Sequence, residues 1–171
     1  MASDQEIRTT LARAREAIEL RPSIAEGRTS LHLRLEQGLK CVAQSDEWST
    51  EIDEPVSVGG EGNAPSPSVY GLSALAGCLA ITTKMLAAQA GLQIDGIDLD
   101  IEADHDDRGF FRMDNVKPGF KGFRLTIDVQ SPAAEEDIRA IVDEAMELSL
   151  WFNVFDGPQS VETDVRVNSN A

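Results

Sequence analysis

GGEGNAPSPSVYGLSALAGCLAITTKMLAAQAG, running from Gly59 to Gly91, is the stretch whose reading decides the fold. A loop rich in Gly, Pro and Ser leads into a nearly apolar segment built largely of small residues. Ser66 followed by Pro67 marks a helix start, because Ser can cap free N–H groups and Pro suits the first helical position. The spacing predicts a helix over Pro67–Ala90, with Val69, Leu72, Leu75, Ala76, Leu79, Thr83 and Leu86 on one broad face. Gly71, Ser73, Ala74, Gly77 and Ala80 line much of the rest, so the helix is expected to be buried nearly all round. Gly91 closes it as a C-terminal stop. Cys78 sits in its middle. A thiol there is either a small packing residue or a nucleophile presented to a hidden pocket.

The chain around this helix reads as α+β. Ile7, Leu11, Ala14 and Ile18 recur at helical spacing after Ser3 or Asp4, and Pro22 and Gly27 end that segment. Residues 1–27 are therefore an N-terminal helical extension and 28–171 a single domain. Three short strands follow as a meander: Ser30–Gln37 with Leu31, Leu33 and Leu35 on one face, a second carrying Leu39, Cys41 and Ala43, and a third at Trp48–Ile52. From Asp53 to Ser66 no periodicity survives, and a loop of that length inside a compact domain is often functional. Beyond Gly91, Ile94–Ala103 alternates with Ile97, Leu99 and Ile101 inward. Asp104–Gly109 reads as a polar turn, and Phe110–Gly122 as an irregular connection before a strand at Phe123–Val129. Ser131 and Pro132 start a second long helix, Trp151–Phe155 is a short aromatic piece, and Val161–Val167 is a last strand. The order, roughly α-β-β-β-α-β-β-α-β, excludes a doubly wound parallel sheet.

Composition narrows the function. The 171 residues are 42% hydrophobic and 26% charged, ordinary for a globular domain large enough to need no disulfides. A net charge of −15, from 30 acids and 15 bases, argues against nucleic acid and against anionic membrane surfaces. Lys84 and Gln89 interrupt the most apolar run before it reaches the roughly 18 residues of a membrane span. The N-terminus has no apolar segment behind a basic start, and the reading is a cytoplasmic protein. Gly59, Gly60 and Gly62 lack the spacing of a phosphate cradle, so no cofactor motif is present. Asp104, His105, Asp106 and Asp107 are consecutive in a turn and read as solvated rather than as metal ligands.

The combination DEPVSVGG and PSPSVYGLSALAGC, within Asp53–Cys78, resembles the OsmC/Ohr family of thiol-dependent hydroperoxide reductases. The resemblance runs from about Arg28 to Val167 and implies an intertwined homodimer, with antiparallel sheets wrapped around two long central helices. It implies that Cys78 is the peroxidatic thiol, that the substrate is a small organic hydroperoxide, and that an external thiol is the reductant. It further implies a second, resolving cysteine near the end of the later helix. There the stretch MELSLWFN supplies Ser149 instead, and serine forms no disulfide. The glutamate of the family's helix start is replaced by Ser68 and Val69. For the family's early arginine, Arg34, Arg28 and Lys40 are the nearest cations, with Arg34 the first candidate for activating the thiol.

Physical chemistry makes the same demand. An unperturbed thiol has a pKa of about 8.5, and burial raises it. Cys78 lies eleven residues past Pro67, beyond the reach of its own helix's N-terminal dipole. An imported cation is therefore expected to activate it, from Arg34, Arg28 or Lys40. Two functions follow: a single-cysteine peroxidase of organic hydroperoxides, or a non-catalytic dimer that binds a small apolar ligand. Cys41 is a core residue first, and a resolving partner only if its strand lies over the central helix. Trp151, Phe152 and Phe155 read as core or dimer contacts bordering the pocket.

Overall fold

The computed structural model describes residues 2–35 and 37–167. Helix α1 (Asp4–Leu20) starts with a capping box: Ser3 Oγ accepts from the Glu6 N–H, and Glu6 accepts from the Ser3 N–H at 2.7 Å. Strands β1 (His32–Leu35), β2 (Cys41–Ser45) and β3 (Trp48–Ile52) form an antiparallel sheet in that order. The β2–β3 hairpin turns on Asp46 and Glu47, with Ser45 opposite Trp48. Asp46 there adopts φ 49°, a conformation Asp tolerates.

Helix α2 (Pro67–Ala90) begins at Ser66 and Pro67 and ends at Gly91, whose φ of 78° is the left-handed conformation of a helix stop. Strands β4 (Gly96–His105) and β5 (Phe120–Gln130) pair antiparallel, with Leu99 opposite Ile127 and Ile101 opposite Leu125. A one-turn helix α3 (Asp107–Phe110) stands between them. Helices α4 (Glu135–Leu148) and α5 (Leu150–Asp156) complete the order. The core gathers where α2 meets α4 and the β4–β5 ribbon: Ala87, Ile94 and Ile141 are buried, with Leu86, Leu92, Ile97, Val129 and Ile138 packed around them.

The α+β class, the meander and the boundaries of α2 agree with the sequence reading. Four details differ. Strand β4 continues to His105, and the polar turn contains α3, capped by Asp106 on the Arg108 N–H. Helix α4 starts at Glu135, because Ser131 Oγ is committed to the Gln93 carbonyl at 2.5 Å and accepts from the Ala133 N–H at 3.0 Å. Helix α2 is not buried all round within one chain: Leu75, Leu79, Thr83, Ala87 and Ala88 are buried, whereas Val69, Ile81 and Met85 are exposed. The last expected strand does not form, since Val161–Val167 finds no ladder in the single chain. By length and composition α2 could cross a membrane. Here it is the helix on which α1, α4 and α5 pack.

Candidate functional site

Cys78 lies half-buried at mid-helix, on the side of α2 that faces α4 and α5. What meets it is fixed by Ser149, the break between those two helices. Ser149 is both the C-cap of α4, its N–H donating to Ala145 at 2.9 Å, and the N-cap of α5, its hydroxyl oxygen accepting from the Phe152 N–H at 3.2 Å. Its ψ of 115° turns the chain, and its accessible surface is 0%. Asn153 locks the joint by donating to the carbonyls of Glu147 and Ser149 at 3.0 and 2.9 Å. Farther along α5, Phe155 stacks edge-on against Phe123 with ring centroids 4.9 Å apart. Its ring tip also approaches Gly71, where α2 has no side chain to keep it off.

The start of α5 is thereby held against the thiol. Burial pushes the Cys78 thiol up. The Ser149 hydroxyl, the N–H groups of Trp151 and Leu150, and the Thr82 hydroxyl together pull it below its ordinary value. Serine and threonine hydroxyls and main-chain amides all favour the anionic sulfur, because each directs positive hydrogen toward it. The groups that act on Cys78 in this way are neutral. Thr82 is one helical turn beyond Cys78 on the same stripe, a spacing visible in the sequence. The Leu150 and Trp151 amides carry no side-chain signature and could be found only through the fold.

The structure brings Ser149 and Cys78 together. It places Arg34 on β1 opposite Val42, in the three-stranded sheet. Lys40 is paired with Glu51 at 3.0 Å, and Arg28 is exposed ahead of β1. Cys41 is half-buried and unbonded to Cys78. It lines a cavity of about 680 Å³ with Leu39, Ile52, Phe110, Phe111 and Phe120. Pro67 and Ser68, at the start of α2, reach that cavity; Cys78 does not. The volume is that of a small-molecule pocket, but the polarised thiol lies elsewhere.

The long loop that precedes α2 is organised by Asp53, only 1% exposed. Its carboxylate accepts from the N–H groups of Glu54 at 2.8 Å and of Glu61 and Asn63 at 3.1 Å. These bonds, with that of Asn63 foremost, hold the carboxyl below its usual range despite burial. Gly60 is required inside the loop, since a Cβ there would overlap the Glu54 carbonyl. Acids at the end of β4 and just beyond it are engaged by bases: Asp104 by Arg124 at 2.6 Å, Asp106 by Arg108 at 2.8 Å and Lys121 at 3.2 Å.

An α+β protein with a polarised cysteine on its central helix and an ordered loop at that helix's start is the class these features define. The comparisons are specific within it. A family model described as OsmC-like protein matches residues 60–164, and the chain belongs to that family. No curated protein sequence matches it. Among solved structures, the fold is similar to an OsmC-like protein from Mycoplasma pneumoniae (18% identity, TM-score 0.66, covering 77% of this chain and 89% of that one). It is also similar to an organic hydroperoxide resistance protein OsmC from Legionella pneumophila (17%, 0.58, 77% and 90%). A third, an organic hydroperoxide resistance protein from Elizabethkingia anophelis, aligns at 13% identity and TM-score 0.57 over 77% and 90% of the two chains.

Proposed function

We propose that this chain is a single-cysteine, thiol-dependent peroxidase of organic hydroperoxides, acting as a homodimer in the cytoplasm. The observation that carries the reading is the set of donors around Cys78, which lowers the thiol's pKa against the effect of burial. The Cys78 thiolate attacks the distal peroxide oxygen; the S–O bond forms as the O–O bond breaks, and the alkoxide leaves as alcohol after taking a proton. Cys78 is then a sulfenic acid. An external thiol attacks its sulfur, water leaves, and a second thiol frees Cys78 from the mixed disulfide. Ser149 stands where the resolving cysteine is expected and cannot end the cycle internally. In this reading the neutral donors do the work first given to Arg34. Residues 1–27 form an extension to a domain spanning 28–171.

A second reading is favoured by the cavity, which is apolar on one side and separate from the thiol: a dimer that binds a small apolar molecule without turning it over. Peroxide consumption with a dithiol reductant, compared between the wild type and Cys78→Ser, decides between them. The peroxidase reading requires loss of turnover in the variant and a sulfenic acid on Cys78 after one equivalent of organic hydroperoxide. Equal background rates in both proteins would leave only the binding function.

A further inference from the structure

Between Leu148 and Leu150 the chain changes helices, and the direction taken by α5 decides what meets Cys78. Any helix begins with N–H groups that have no acceptor in its own first turn. In α5 the Phe152 N–H is taken by Ser149 Oγ at 3.2 Å, and the Asn153 N–H opens the helical ladder on the Ser149 carbonyl at 3.0 Å. The Leu150 and Trp151 N–H groups are left over, and these two act on the Cys78 sulfur. Both belong to the main chain, so a small rotation of α5 on α4 turns them away together.

Two attachments resist that rotation. At the far end of α5, Phe155 meets the Phe123 ring and the bare backbone of Gly71. Apolar contact of this kind fixes how closely α5 approaches α2, but it is non-directional and leaves the helix free to turn. The near end carries the directional tie. Asn153 Nδ2 donates to the Glu147 carbonyl at 3.0 Å, in the last turn of α4, and to the Ser149 carbonyl at 2.9 Å, in the joint itself. One carboxamide thus commits both of its hydrogens across the break. Among the described residues, no other side chain of α5 hydrogen-bonds to α4.

We infer that Asn153 is a positioning residue for the thiol: its carboxamide sets α5 on α4 at the angle that aims the Leu150 and Trp151 amides at Cys78. The inference rests on the peroxidase reading of Cys78 proposed above. Asn153 acts through those two amides, and its effect is read at the sulfur.

Alkylation of Cys78 by iodoacetamide, followed against pH by peptide mapping in the full chain, tests it. The wild-type rate should reach half its plateau below the ordinary thiol value of about 8.5. In Asn153→Ala the midpoint should move upward and the rate near neutral pH should fall by roughly threefold or more, while the plateau at high pH is unchanged. A lower plateau with an unmoved midpoint would show a structural role only and overturn the inference, as would a profile identical to the wild type's. If Asn153→Ala does not fold, the wild type answers by itself. Its Asn153 side-chain amide protons should exchange about tenfold more slowly than those of a free carboxamide, and the Leu150 and Trp151 amide resonances should titrate with Cys78. Free exchange at Asn153 overturns the inference. A wild-type midpoint at or above about 8.5 removes the activated thiol, and with it both the peroxidase reading and this inference. A low wild-type midpoint that Asn153→Ala leaves in place removes this inference alone.

Discussion

At Cys78 the sequence asked for an activating charge and the fold supplies uncharged donors. Ser149 was legible through the family resemblance as the residue standing where a resolving cysteine is expected, because that cysteine stands near the end of the later helix. That its hydroxyl would polarise the thiol was not legible, since α5's approach to α2 depends on Phe155 reaching Gly71. The hydroxyl's contribution can be isolated. Ser149→Ala should slow alkylation of Cys78 at neutral pH roughly fivefold, the effect of a hydrogen bond of about 1 kcal/mol on the thiolate population. Peptide mapping of the alkylated protein separates Cys78 from Cys41, which should be unaffected. Ser149→Thr should restore most of the rate by keeping both the hydroxyl and the N-cap. An unchanged alkylation rate in Ser149→Ala would remove the hydroxyl from the account.

At the scale of elements, α1 is tied to the end of α2. Arg8 Nε donates to the Ala88 carbonyl at 2.7 Å, near the negative end of the central helix, where a cation is favoured. Lys84 bridges Asp4 and the Ile94 carbonyl, each at 2.7 Å. Gly91 is needed twice over: its φ is 78°, and a Cβ would stand 2.5 Å from Arg8 Nη2. Gly91→Ala should therefore cost about 1–2 kcal/mol for the left-handed backbone, plus the displaced arginine. Because the arginine tip can swing away, Gly91→Ala in an Arg8→Ala background should cost less than the sum of the two single changes in denaturant unfolding. Additive losses would show that the two positions do not meet.

The Asp53 loop gives an element-scale prediction with a definite sign. The folded-state pKa is depressed, so the unfolded chain binds the proton more readily and stability rises with pH through the window between the two values. The contribution is fully present above the ordinary aspartate value of about 3.9 and is lost as pH falls through the lower, folded one. Protection of the Glu61 and Asn63 amides, corrected for intrinsic exchange, should accordingly disappear in acid, and in Asp53→Ala it should be absent already at neutral pH. The sequence showed this stretch only as a loop without periodicity; one buried carboxylate gathering distant amides leaves no pattern.

For the molecule as a whole, the segments with strong local signals were the readable ones: Ser66-Pro67 to Gly91, the alternation of β4, and the meander. The segments that misread were the bare side of α2 at Ile81 and Met85 and Val161–Val167, which joins no ladder. Both errors follow from the same cause, because period and polarity report what a residue is suited to cover and not whether this chain supplies the cover. The charge then makes a prediction about assembly. Each copy carries −15, so two copies repel over the Debye length, about 30 Å at 0.01 M salt and about 10 Å at 0.1 M. Exposed ion pairs across the interface of the proposed homodimer are worth no more than about 1 kcal/mol each and weaken with salt, whereas the repulsion is summed over the whole surface and fades as well. The repulsion dominates, and apolar contact, which does not depend on ionic strength in this way, holds the proposed pair. Dissociation measured on labelled protein should become weaker on the order of tenfold between about 0.01 and 0.1 M salt. Stronger dissociation with added salt would mean that ion pairs, and not apolar contact, carry the proposed dimer.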